Sequence, residues 1–157
     1  MITAAIEHWD FWQIFLCRWF WCGTGGWVIA SVIKMIIAAR VTKKFDFEYL
    51  FSTGGMPSSH SACVTALAFG IGFTEGFGTP LATLAMAFAI ITMFDAATVR
   101  HAAGEHAKVL NAIMADIKEL SLKPIARLKE LLGHTRLEVF WGMVTGIVWA
   151  TLLCSIW

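Results

Sequence analysis

The sequence predicts an all-α integral membrane bundle with about four transmembrane helices, an N-terminal interfacial helix and an amphipathic cytoplasmic insertion. Three observations predict it. Of 157 residues, 58% are hydrophobic and 15% charged, with a mean hydropathy of +0.69, whereas a soluble domain carries about a quarter charged residues. The apolar residues are grouped in runs near the ~20-residue length that crosses a bilayer core as a helix. Eight tryptophans cluster at the ends of those runs, where amphipathic rings settle at headgroup level. The alternative, a soluble helical protein with a large core, lacks the polar residues to cover itself.

The elements follow in order. Residues 8–22, HWDFWQIFLCRWFWC, are aromatic, interrupted by Asp10 and Arg18 and short for a span, which suits an interfacial or partly inserted helix. Thr24-Gly25-Gly26 is expected to break the pattern, and a first span covers 24–42. Its internal charge, Lys34, stands within snorkelling reach of the interface. The polar connection 40–57 contains Gly54-Gly55 and Pro57, which forbid a continuous helix. Ser58 and Ser59 cap a second span, 58–74, with His60 in its first turn. A third span covers 80–100, with Asp95 inside it and Arg100 at its end. The polar segment 101–133 carries Leu110, Ile113, Met114 and Ile117 at helical spacing and is expected to form amphipathic helices broken near Pro124. A fourth span, 134–157, completes a single membrane domain.

The net charge of +1 points to neither nucleic acid nor an acidic partner. Cys17, Cys22, Cys63 and Cys154 lie mostly in apolar runs without paired metal-ligand spacing, so they read as small buried hydrophobes. No basic region precedes an apolar core at the N-terminus, so no cleavable leader is expected. The connections 40–57 and 101–136, with Arg100 at an edge, hold ten of the twelve Lys and Arg residues. Up-down spans place both connections on one side, and the positive-inside bias makes that side cytoplasmic.

This topology brings Lys34, Arg40, His60, Arg100 and His134 to one membrane face. Three cations and two imidazoles at one depth repel each other unless an anion lies between them. Phosphate fits, because Arg offers it a planar fork and Lys a point charge. Each residue also has a plainer role. Lys34 and Arg40 can snorkel, Asp95 can balance Lys34 or Arg100, His101 and His106 can be surface residues, and His8 an interfacial residue without chemistry.

The stretch GGMPSSHSA from Gly54 to Ala62 resembles the Pro-Ser-Gly-His signature of the type 2 phosphatidic acid phosphatase and vanadium haloperoxidase superfamily. Together with the D-A-x-x-V-R element from Asp95 to Arg100 and the L-G-H-T-x-L-E-V segment from Leu132 to Val139, it resembles the superfamily's divergent branch of small membrane proteins. The resemblance covers Lys34 to about Gly142. Two registers are open for the third motif. Arg100 and His106 keep the superfamily's short spacing, but position 110 is Leu. His134 has Glu138 at i+4, one turn away on a shared helical face, and is preferred, which makes 101–133 an insertion. The sequence departs from the motif where Ser59 replaces Gly, Glu138 replaces Asp, and no Arg-Pro follows Lys34.

The resemblance implies a metal-independent, acid-phosphatase-like hydrolase without a cofactor. His134, oriented by Glu138, is then the nucleophile forming a phosphohistidine, and His60 is the general acid and base. Lys34, Arg100 and the Ser58 and Ser59 amides hold the phosphate oxygens. Independently of the resemblance, Asp95 and Arg40 are expected to be structural or charge-balancing. The expected substrate is a phospholipid or polyprenyl phosphate or pyrophosphate at the inner membrane, and a homo-oligomer is left open. The alternative is a catalytically silent membrane protein that binds a phosphorylated lipid or a partner. Haloperoxidase chemistry does not suit so short a membrane chain.

Overall fold

The structure, a computed structural model, describes residues 11–43, 54–118, 128 and 133–157, with the backbone alone for 116–118. Outside these lie the start of the expected interfacial helix, most of the 40–57 connection and the expected break near Pro124. Among the described residues every regular element is helical. A 3-10 turn, Phe11–Leu16, leads into α1 (Arg18–Thr42), followed by α2 (Ser59–Glu75), α3 (Pro80–Ala97), α4 (Val99–Lys118) and α5 (Arg136–Ile156).

The cores and surfaces of these helices are inverted relative to a soluble bundle. Among the described residues, apart from Cys22, Val64 and Ile71, the buried apolar residues are alanines: Ala30, Ala62, Ala66, Ala68, Ala82, Ala89, Ala96, Ala107 and Ala150. Large residues such as Leu84, Phe88, Ile91, Phe94, Leu152 and Ile156 face outward and are more than half exposed. Lipid is as apolar as leucine, so helices in a bilayer associate by close backbone packing and present their large side chains to the tails. Among the described residues three helical stretches are long and apolar enough to cross a membrane: α1, the α3–α4 stretch and α5. The second expected span is α2, whose 17 residues make about 26 Å of helix against a hydrocarbon core of ~30 Å.

Helix α2 is the centre of the bundle and packs against α1, α3 and α5. Against α1 and α5 it does so through a row of small residues one turn apart, Ser58, Ala62, Ala66 and Gly70, and against α3 through Val64 and Ala68, which pack on Ala89. A Cβ on Gly26 of α1 would lie 2.9 Å from both the Ala62 carbonyl oxygen and the Ala66 Cβ, and one on Gly146 of α5 would lie 2.5 Å from the same Ala62 oxygen. Both neighbours therefore approach α2 backbone to backbone, which only glycine permits.

The expected break at Thr24-Gly25-Gly26 does not occur, because α1 runs unbroken from Arg18. Gly25 sits beneath the Trp149 indole, whose Nε1 would be 2.4 Å from an added Cβ, and this indole donates to the Trp21 carbonyl at 3.2 Å. Glycine is disfavoured in a helix by about 1 kcal/mol, and here helix-to-helix contact outweighs that cost. The third expected span ends slightly earlier than 100. Thr98 leaves the helical conformation, and its amide turns back to the Phe94 and Asp95 carbonyls. The polar segment then continues at once as α4, which puts Leu110, Ile113 and Met114 on a helix as expected.

Candidate active site

Four chain segments meet at the end of the bundle where α2 and α5 begin and α1 and α3 finish. Lys34, two turns before the end of α1, is 2% exposed. The loop leading into α2 lies across its stem: a Cβ on Gly55, whose φ is +91°, would be 3.4 Å from Lys34 Cγ and Cδ. A side chain at that φ is strained as well as crowded, which explains the glycine. Ser58 is the N-cap of α2, its Oγ accepting from the Ser61 amide at 3.3 Å and the Ser61 hydroxyl at 2.9 Å. His60 follows in the first turn, with an exposed side chain.

The third segment is the junction of α3 and α4. Arg100 Nε donates to Asp95 Oδ2 at 2.6 Å in a partly exposed ion pair, so Asp95 balances Arg100. The fourth segment, Gly133 to Glu138, is tied to the start of α2 and to the α3–α4 junction. The His134 amide donates to the Ala96 carbonyl at 3.1 Å and the Ser58 amide donates to the Glu138 carbonyl at 3.0 Å. Gly133, at φ +89°, presses against the backbone of α4, where an added Cβ would meet His101 N at 2.3 Å and the Arg100 carbonyl carbon at 2.5 Å.

His134 is 3% exposed, and its Nδ1 faces Glu138 Oε2 at 3.2 Å. The pairing arises differently from the shared helical face that the sequence suggested. His134 lies outside α5, one residue ahead of the N-cap Thr135, so no helical turn connects it to Glu138. Instead Thr135 and Glu138 form a capping box: Thr135 Oγ1 accepts from the Glu138 amide at 3.3 Å, and Glu138 Oε2 accepts from the Thr135 amide at 2.9 Å. The carboxylate bent back to close the box takes the imidazole with the same oxygen. The Thr-x-x-Glu pattern at 135–138 was a legible signal for this role of Thr135.

Lys34 lies within electrostatic range of Glu138, His60 of Arg100 and Lys34, and His134 of Glu138, Lys34 and His60. The fold therefore brings together His134, Glu138, His60, Lys34 and Arg100. Burial pushes the His134 imidazole below its ordinary value, the Glu138 carboxylate pulls it back up, and Lys34 and His60 act in the direction of burial. A neutral imidazole with Nδ1–H on Glu138 leaves the Nε2 lone pair as its nucleophilic atom.

One expectation takes a different form. The Ser58 amide is committed to the Glu138 carbonyl, so Ser58 joins α2 to α5 and its amide does not face a phosphate oxygen in this conformation. Ser59 is buried at the first position of α2. Arg40 is exposed on the last turn of α1, where a cation suits the helix dipole. In the competing register His106 and Leu110 are both exposed on α4, while His134 has the burial and the carboxylate. Among the described residues no group of three or more His, Cys, Asp or Glu side chains is placed to hold a metal ion.

Residues 16–149 match the model of a family described as the divergent PAP2 family. The chain is also 44% identical over 137 residues to the uncharacterized membrane protein YuiD of Bacillus subtilis (strain 168), an alignment covering 80% of this chain and 87% of that protein. No solved structure matches.

Proposed function

We propose that this chain, which belongs to the divergent PAP2 family, is a membrane phosphatase that hydrolyses a lipid phosphate or pyrophosphate through a phosphohistidine intermediate. One observation carries the reading: the buried His134 imidazole, held at Nδ1 by Glu138, is grouped with Lys34, His60 and Arg100 at one end of the bundle.

In the first step His134 Nε2 attacks phosphorus, the N–P bond forms, and the bond to the leaving oxygen breaks as His60 protonates it. Glu138 stabilises the positive charge growing on the imidazole. Lys34 and Arg100 offset the charge on the equatorial oxygens, a contribution of a few kcal/mol where such groups are preorganised. In the second step water attacks phosphorus, His60 accepts its proton, and the N–P bond breaks to release inorganic phosphate and restore His134.

A site at the end of apolar helices suits a substrate whose tail remains in the bilayer. The concentration of Lys and Arg in the connections at this end supports a cytoplasmic orientation at the inner membrane. The test is phosphate release by detergent-purified protein from a panel of phosphatidic acid, phosphatidylglycerol phosphate and polyprenyl diphosphate, with chelator present. Release from one of them, abolished in His134→Ala, is the expected result.

A second reading is favoured by the Ser58 amide already bonded to Glu138 and by the pairing of Arg100 with Asp95. Both reduce the donors available to a transferring phosphoryl group, as suits a protein that binds a phosphorylated lipid without turning it over. Saturable binding of these lipids with no phosphate release identifies that case.

A further inference from the structure

The opposite end of the bundle holds a cavity of about 460 Å³ lined by Arg18, Phe73, Thr74, Thr151, Cys154 and Ser155. It lies where α1 begins and α2 and α5 finish, a full helix length from His134. Trp19, Trp21 and Trp157 surround this end, and the Arg18 guanidinium lies 5.8 Å from the centre of the Trp157 ring. Tryptophan at such density marks the headgroup level of a bilayer leaflet.

The polar groups lining the cavity have a definite hydrogen-bonding character. Thr151 Oγ1 donates to the Ile147 carbonyl at 2.8 Å and Ser155 Oγ to the Leu152 carbonyl at 2.7 Å. Thr74 Oγ1 donates to the Gly70 carbonyl at 3.0 Å while accepting the Trp19 indole N–H at 2.7 Å. Each hydroxyl proton is therefore spent on its own helix, and what faces the cavity is acceptor lone pairs. The C-terminal ends of α2 and α5 add partial negative charge. Among the described residues Arg18 is the only charged one in the lining, a planar donor suited to a phosphate.

We infer that this cavity is a binding site for a phospholipid headgroup that carries both a phosphate and hydrogen-bond donors, ethanolamine or glycerol, in the leaflet opposite the His134 site. Arg18 takes the phosphate, and the Thr151 and Ser155 oxygens accept from the ammonium or hydroxyl groups. Choline has the phosphate but no donor, and so leaves these oxygens unpaired. Phosphatidylcholine is therefore discriminated against.

Native mass spectrometry of the full chain, delipidated in detergent and offered equimolar phosphatidylethanolamine, phosphatidylglycerol and phosphatidylcholine, tests this site. The first two should be retained over the third. Arg18→Gln should lower retention of both by about tenfold, the loss of one charge-assisted contact, and His134→Ala should leave retention unchanged. Ser155→Ala and Thr151→Val, which keep Arg18, should narrow the preference over phosphatidylcholine. Equal retention of all three lipids overturns the inference. So does loss of binding in His134→Ala with none in Arg18→Gln, because the lipid then sits at the other end.

Discussion

The Glu138 carboxylate performs two tasks with one oxygen, and two substitutions separate them. Glu138→Gln keeps the length and an amide oxygen that can still accept the Thr135 N–H, since Gln also closes a capping box. It removes the charge facing His134 Nδ1 at 3.2 Å. A hydrogen bond to a charged group contributes about 1.5–3 kcal/mol, and each ~1.4 kcal/mol is a factor of ten in rate. Turnover should therefore fall roughly 10- to 150-fold, with the thermal midpoint little changed. Glu138→Asp keeps the charge but is one methylene shorter, so it reaches neither the Thr135 amide nor His134. It should lose at least as much activity and also lower stability by the ~1 kcal/mol typical of a lost cap. The assay is phosphate release in detergent across pH, alongside thermal unfolding. Because the nucleophile must be neutral, activity falls as pH drops through the His134 value, which burial holds below the ordinary ~6.5. The carboxylate raises that value, so Glu138→Gln should shift the acid limb to lower pH. Wild-type turnover with an unmoved acid limb in Glu138→Gln would refute the orientation argument.

Three further outcomes are expected. Lys34→Ala and Arg100→Ala should each lower turnover by a few kcal/mol of barrier with near-normal expression for the exposed Arg100. Unchanged turnover in both removes the phosphate-cradle role. Gly133→Ala introduces a Cβ at φ +89° against the Arg100–His101 backbone and should cost more than ~1 kcal/mol, seen as a lower unfolding midpoint together with lost activity. For topology, an impermeant thiol reagent on intact cells should label a cysteine replacing Thr79 and miss one at position 118, in a background without the native cysteines; labelling at 118 inverts the orientation.

How much was legible in the sequence varies residue by residue. The spacing of His134 and Glu138 identified the pair correctly but gave the wrong geometric reason, because periodicity does not say where a helix begins. Thr135 and Glu138 carried that information as a capping pattern. Lys34, His60 and Arg100 could be placed at one end from span order alone, since a helix that crosses a bilayer has its two ends assigned as soon as its neighbours' directions are known.

By itself the sequence determined the solvent, the class of fold and which charged and imidazole side chains gather at one end of the helices. These follow from composition, run length and side-chain chemistry, which are local properties. Only the tertiary structure decided that Gly25 and Gly26 continue α1, that the Ser58 amide is spent on Glu138, and that Asp95 pairs with Arg100. Each depends on which atom of a distant segment occupies a given notch. A glycine that breaks an isolated helix and one that admits a tryptophan ring look the same until the neighbouring helix is in place.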